Sequence, residues 1–227
     1  MTVQHPPGTP RAALTDKLLA GGLSSVPVVG GVAAAWYQNL MEGPYNRRLD
    51  AWRQVITEVV NDLAERYDNL LDSEVFLDAF VNATRAAQAT HEGEKLEALR
   101  NAVANSVAPD APQVGEQARF FRLVDQFSAA HIVLLKVLDD PRSAAFRLGR
   151  KHGPQTLSLE ALLDEVVPQF VGNMGWRELL ISDLVGTSLL VDISSRGSSH
   201  PAENLRGFNR QTTGLGRRFL RFISADN

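Results

Sequence analysis

The chain has no cysteine. That excludes disulfides, thiolate nucleophiles and cysteine-ligated zinc, and it suits a reducing compartment. Histidine is scarce: His5, His91, His131, His152 and His200 are the only five, and none lies three to five residues from another, so no local zinc pair of that type exists. His131, one residue before Ile132 on a short helix, has the placement of a hydrogen-bonded structural histidine. The stretch Val29-Gly-Gly-Val lacks the Lys-Ser/Thr ending that a phosphate loop needs, and no Gly-x-Ser-x-Gly elbow occurs. The carboxylate pairs Asp139-Asp140 and Asp164-Glu165 fall at a helix end or on a helix surface, where solvated charge is the expected role. These absences imply a non-enzymatic protein with no catalytic residue, no metal ligand, no cofactor and no small-molecule substrate.

Strong net charge is missing too. The formal charge is −3, so the whole chain is neither a polyanion mimic nor a global polycation. The distribution is uneven: residues 1–140 hold 12 Lys/Arg against 18 Asp/Glu, whereas residues 141–227 hold 11 against 8. An acidic front and a mildly basic back suit two units with different partners. At 227 residues, with 44% hydrophobic and 22% charged content, the chain is able to bury a core. Its N-terminus, Met-Thr-Val-Gln-His-Pro-Pro-Gly, does not fit a signal peptide, which makes a cytoplasmic location the expectation.

Residues 18–41 contain no charged side chain. The length is enough to span a bilayer, and the Trp36-Tyr37 pair suits an interface. Pro27 and Gly30-Gly31, however, break a single helix. Two short apolar helices in a buried hairpin are therefore favoured over a membrane segment. Leu18, Val26, Val28, Val29, Trp36 and Tyr37 are the candidate membrane or interface residues in either case.

The clearest helix follows Gly43-Pro44. Leu49, Trp52, Ile56, Val59, Leu63, Tyr67 and Leu70 step by three or four along one stripe. A second helix is predicted from Ser73 to about Thr90, a third over 94–107, and a short fourth carrying Ala118, Phe121 and Val124. Ser128 is the expected N-cap of a helix stopped by Pro141, with further helices over 157–167 and 176–189. Residues 189–194 are β-branched enough for a strand, and residues 213–223 close the chain. The fold expected is mainly α: an apolar hairpin and helical bundle over 1–126, then a small winged-helix-like α+β module over 127–227.

Two arginine-rich clusters stand out, Arg142, Arg147, Arg150 and Lys151, then Arg206, Arg210, Arg217, Arg218 and Arg221. In a winged helix that reads DNA, the helix over 176–189 enters the major groove; it carries Arg177, but also Glu178 and Asp183, which oppose phosphate. Arg177, Arg206, Arg210, Arg217 and Arg218 are the nucleic-acid candidates.

Three stretches carry a family likeness: Glu94-Lys-Leu-Glu-Ala-Leu-Arg-Asn-Ala-Val-Ala-Asn-Ser, Phe120-Phe-Arg-Leu-Val-Asp-Gln-Phe-Ser-Ala-Ala-His-Ile-Val-Leu-Leu and Thr213-Gly-Leu-Gly-Arg-Arg-Phe-Leu. On these the chain resembles a loose group of uncharacterised prokaryotic proteins that includes the abortive-infection alpha family. The resemblance implies an apolar Gly/Pro-containing segment, a helical bundle, a winged-helix-like module and a link to phage defence. It carries no catalytic residues, and residues 195–205 match nothing in it. Three readings stay open: a non-enzymatic defence or stress protein acting on membrane through residues 18–41, an oligomeric protein-interaction module, and, ranked behind them, a DNA-binding winged-helix regulator.

Overall fold

The computed structural model describes residues 46–148, 159–192 and 209–225. The chain is mainly helical and divides into two compact units, Met1–Val124 and Asp125–Asn227. The apolar segment 18–41, with Leu18, Val26, Val28, Val29, Trp36 and Tyr37, lies outside the described residues, as does Arg206.

In the first unit, helix α1 (Asn46–Arg66) buries Leu49, Trp52, Ile56, Val59 and Leu63 of the predicted stripe, with Val60 beside them, and ends before Tyr67 and Leu70, which the stripe also included. Asn69, in the left-handed region at φ 59°, marks the turn into a short 3₁₀ segment, Leu70–Asp72. Ser73 then caps α2 (Glu74–Ala89), its hydroxyl accepting from the Phe76 N–H at 3.4 Å. The inner face of α2 alternates rings with methyls: Phe76, Ala79, Phe80, Ala83 and Ala87 are all buried. The small side chains let α3 (Gly93–Asn105) and α1 approach closely, and the three helices pack pairwise. The fourth helix, α4 (Val114–Gln126), buries Phe120, Phe121 and Val124. It is tied to the preceding loop by Gln117, whose Nε2 donates to the carbonyls of Ser106 at 3.0 Å and Pro112 at 2.8 Å.

Trp52 is the largest side chain in this core, and its indole N–H donates to the Thr84 hydroxyl on α2 at 3.1 Å. Thr84→Val keeps the shape and strands that N–H. The expected cost is about 1–3 kcal/mol, read as a lower midpoint in urea unfolding followed by tryptophan emission in a chain that keeps Trp52 and replaces Trp36 and Trp176 by Phe. An unchanged midpoint would show that the N–H finds another acceptor.

The second unit is built around α5 (Ala129–Asp139), which packs against α6 (Pro141–Arg147), α7 (Leu159–Val166), α8 (Met174–Gly186) and α9 (Gly214–Ile223). Its central place explains why Ile132, Leu134, Leu135, Val137 and Leu138 are all buried rather than one stripe of them. Pro141 does end α5, and it also opens α6 at the first helical position, where a missing N–H costs nothing.

The expected winged-helix-like β module is not what the described residues show. Their only β pairing is one antiparallel bridge, Leu190 to Thr212. Val191 N–H donates to Gln211 O and Thr213 N–H to Leu189 O, both at 2.9 Å. The ladder stops there for a local reason: Thr213 is already the N-cap of α9, its hydroxyl accepting from Gly216 N at 2.9 Å. Threonine's capping chemistry thus overrides its β propensity one residue after the bridge. Helix α9 lies so close to the bridge that a Cβ on Gly216 would stand 2.2 Å from Leu189 O.

Candidate functional site

The second unit is marked by the charges it presents. Helix α9 has one face in the core and one in solvent. Gly216, Phe219, Leu220, Phe222 and Ile223 are buried, while Arg217, Arg218 and Arg221 are exposed. Arg217 and Arg221 are one helical turn apart and Arg218 is the neighbour of the first, so all three project from one side. The described stretch 209–225 holds no carboxylate. Guanidinium groups suit this placement, because each offers a planar fork matched to phosphate or carboxylate oxygens.

Arg210, also a sequence candidate, has a local task. Its Nε donates to the Asp139 carbonyl at 3.0 Å and pairs with the Asp139 carboxylate at 3.1 Å. Thr212 donates to the same carboxylate, and Gln211 N–H to Leu138 O. Residues 210–212 are thereby fastened across the end of α5.

Arg177 is placed differently from the other candidates. It is 8% exposed, and its guanidinium reaches Asp164 at 3.3 Å and Glu160 at 3.5 Å, both on α7. Glu178 and Asp183, by contrast, lie on the exposed side of α8. The helix expected to read DNA therefore shows carboxylates to solvent and turns its arginine inward. In sequence the clue was the acid pair at 160 and 164, one helical turn apart and able to converge on a single fork.

One Ser–His–Asp set does assemble. Ser128 Oγ is 2.9 Å from His131 Nδ1, and His131 Nε2 is 3.3 Å from Asp183 Oδ2. The backbone N–H of Ser128 also donates to Nδ1, at 3.1 Å. A backbone N–H always carries its proton, so Nδ1 must offer its lone pair and the ring proton sits on Nε2, toward Asp183. A general base would have to take the serine proton on Nδ1, which would set two N–H groups against each other. The set is thus a capping arrangement for α5, with its ring stacked on Phe127 at 4.8 Å and tied to α8 through Asp183. The contact spans 52 positions in sequence, which is why spacing could not reveal it.

Asp140 caps α6 in the same manner. Its carboxylate accepts from Ser143 Oγ at 2.6 Å and Ser143 N–H at 3.0 Å, and these bonds, with help from Arg210, hold its pKa below the ordinary carboxylate value. A depressed native value adds stability above the unfolded pKa of about 4 and loses it as pH falls through the native one. Asp140→Asn retains a capping oxygen without the charge. The variant is expected to be less stable than the native chain at pH 7, and the gap is expected to narrow as pH falls through the depressed native pKa, measured as the difference in denaturant midpoint. A constant difference across that range would place the effect elsewhere.

Among the described residues no group of side chains is arranged to hold a metal ion, and no helix is long and apolar enough to cross a membrane. In the first unit, a recess between α2 and α4 lined by Val75, Asp78, Asn82 and Phe121 holds about 30 Å³, space for a water molecule rather than a metabolite.

Short helix α6 carries the feature that spacing did not flag. Phe146 is 73% exposed, the one Phe, Tyr or Trp side chain in the exposed class among the described residues, with exposed Arg147 next to it and exposed Arg142 four positions before. Arg150 and Lys151 of the same basic run lie outside the described residues. An aromatic bracketed by arginines was the available signal. Comparison of the chain with protein-family models, curated proteins and solved structures gives no match.

Proposed function

We propose that this chain is a non-catalytic binding protein whose second unit grips the phosphate backbone of a nucleic acid through the arginine face of α9. The observation that carries this reading is the exposed side of α9, on which Arg217, Arg218 and Arg221 stand together. Three fixed cations on one side of a helix favour phosphate by charge and by the geometry of the fork. The apolar side of α9 is used up in the core, leaving none to insert among lipid chains, so a polymer backbone fits this face better than a membrane. Contacts of this kind position a ligand without reading its sequence. The inward-turned Arg177 and the carboxylates on α8 support the same limit: binding here is sequence-independent.

The test is fluorescence anisotropy with a labelled oligonucleotide of arbitrary sequence at low salt. Native protein is expected to bind, and the triple variant Arg217→Gln, Arg218→Gln, Arg221→Gln is expected to lose most of the affinity while its thermal midpoint stays close to native. Equal binding by both would end this reading.

A second reading rests on the uncharged run 18–41. It has the chain act on membranes through that segment in a defence or stress role, as the family resemblance suggests. Dye release from liposomes by the full chain, lost on removing residues 1–43, is its expected result; no release under any lipid composition would set it aside.

A further inference from the structure

Resting on the nucleic-acid reading above, we infer that the ligand is single-stranded and that Phe146 on α6 is a platform on which one of its bases stacks. Most rings described in this unit are buried: Phe127, Phe170, Phe219 and Phe222 are all in the core. Phe146 alone stands out in water, and it is the most exposed large apolar side chain of the described residues. An isolated exposed leucine or valine needs no explanation, whereas a solvated aromatic costs the fold its most valuable kind of burial.

The surroundings of the ring say what covers it. Arg142 lies four positions before Phe146, hence on the same side of the helix, and Arg147 follows directly; both are exposed. Pro141 and Ala144 form the buried side, and Arg142, Ser143, Phe146 and Arg147 are exposed, so a ring and two guanidinium groups dominate what α6 offers outward. Asp140 accepts two bonds from Ser143, which engages its carboxylate at the start of the helix.

A ring flanked by cations matches the two requirements of a strand whose bases are free: a π-face for the base and charge for the phosphates on either side. A duplex keeps its bases stacked on one another and gives such a ring nothing to hold. The cations alone would serve either ligand, so the ring is the element that discriminates.

The experiment measures the full-length protein with a dye-labelled oligothymidylate, with a blunt duplex of the same length and with phosphatidylserine vesicles. The native chain is expected to prefer the single strand. Phe146→Ala is expected to weaken single-strand binding by roughly five- to a hundred-fold while leaving duplex affinity unchanged. Phe146→Trp is expected to keep the affinity and to show indole emission quenched on binding, which an indirect effect on folding would not produce. If Phe146→Ala binds the single strand as well as native does while the α9 triple variant does not, the stacking inference is overturned and the backbone reading stands. If native binds neither oligonucleotide, both are overturned. Vesicle binding that depends on Phe146, without oligonucleotide binding, would likewise overturn the inference and assign the ring to lipid.

Discussion

Gly216→Ala is expected to destabilise the second unit more than any other single methyl added to its described glycines. The new Cβ would sit 2.2 Å from Leu189 O and 3.1 Å from Leu189 C, with Thr212 Cβ at 3.3 Å. The nearest atoms belong to backbone, so no rotamer change relieves the clash. Either α9 moves off its seat or the Leu190–Thr212 bridge opens, and with it the Thr213 N–H bond to Leu189 O. Overpacking of this kind costs about 1–3 kcal/mol or more, only partly offset by the roughly 1 kcal/mol that alanine gains over glycine in a helix. A net loss of about 2 kcal/mol corresponds to a fall of roughly 10 °C in thermal midpoint for a unit of this size. Gly214→Ala is the matched control, because its Cβ would meet nothing within 4 Å. That variant is expected to be neutral or slightly stabilised. If the two alanines behave alike, the close seat of α9 is wrong.

Arginine provides the second large effect, because the same residue type stands in two settings in this unit, buried at Arg177 and exposed on α9. Arg177→Ala removes a guanidinium buried between α7 and α8 and leaves Glu160 and Asp164 without it. Those carboxylates are 45% and 37% exposed, so they rehydrate, and the cost is set as much by the lost packing of the arginine stem as by charge. A loss of about 1–3 kcal/mol follows, below the range for stranding a fully buried charge. Neutralising Arg217, Arg218 and Arg221 is expected to do the reverse, changing stability by little and phosphate binding by much. Thermal midpoint and oligonucleotide affinity, measured on both variants, should therefore cross over. Loss of binding in Arg177→Ala under conditions where it remains folded would contradict the division of labour.

How much of this was legible in the chain depends on the range of the interaction. Helix α1 could be read because its stripe repeats over about four turns, and α2 because Ser73 announces its start. The capping roles of Ser128 and Thr213 are local chemistry of the same sort. The winged-helix expectation failed on order of elements: helices followed by a β-branched stretch suggested a wing, but a strand needs a partner, and Thr213 commits the partner to helix after one bridge. Arg177 was misjudged as a surface cation because charge content does not say which way a side chain turns; only its contact with α7, thirteen and seventeen positions earlier, settles that. Phe146 was passed over for the opposite reason, since a phenylalanine in a helix is expected to be core. Arg217 and Arg218 could be placed on one face from spacing, with Arg221 completing the set.

The central claim is that the second unit binds phosphates through α9, and salt dependence tests it most directly. Affinity for a single-stranded oligonucleotide, measured from low to moderate salt, should fall linearly on logarithmic axes, and the triple glutamine variant should lose about two units of slope, roughly 0.7 for each of three phosphate contacts. A slope of that size that vanishes with Arg217, Arg218 and Arg221 is the predicted result. Binding that is indifferent to salt, or a slope unchanged in the variant, would contradict the account.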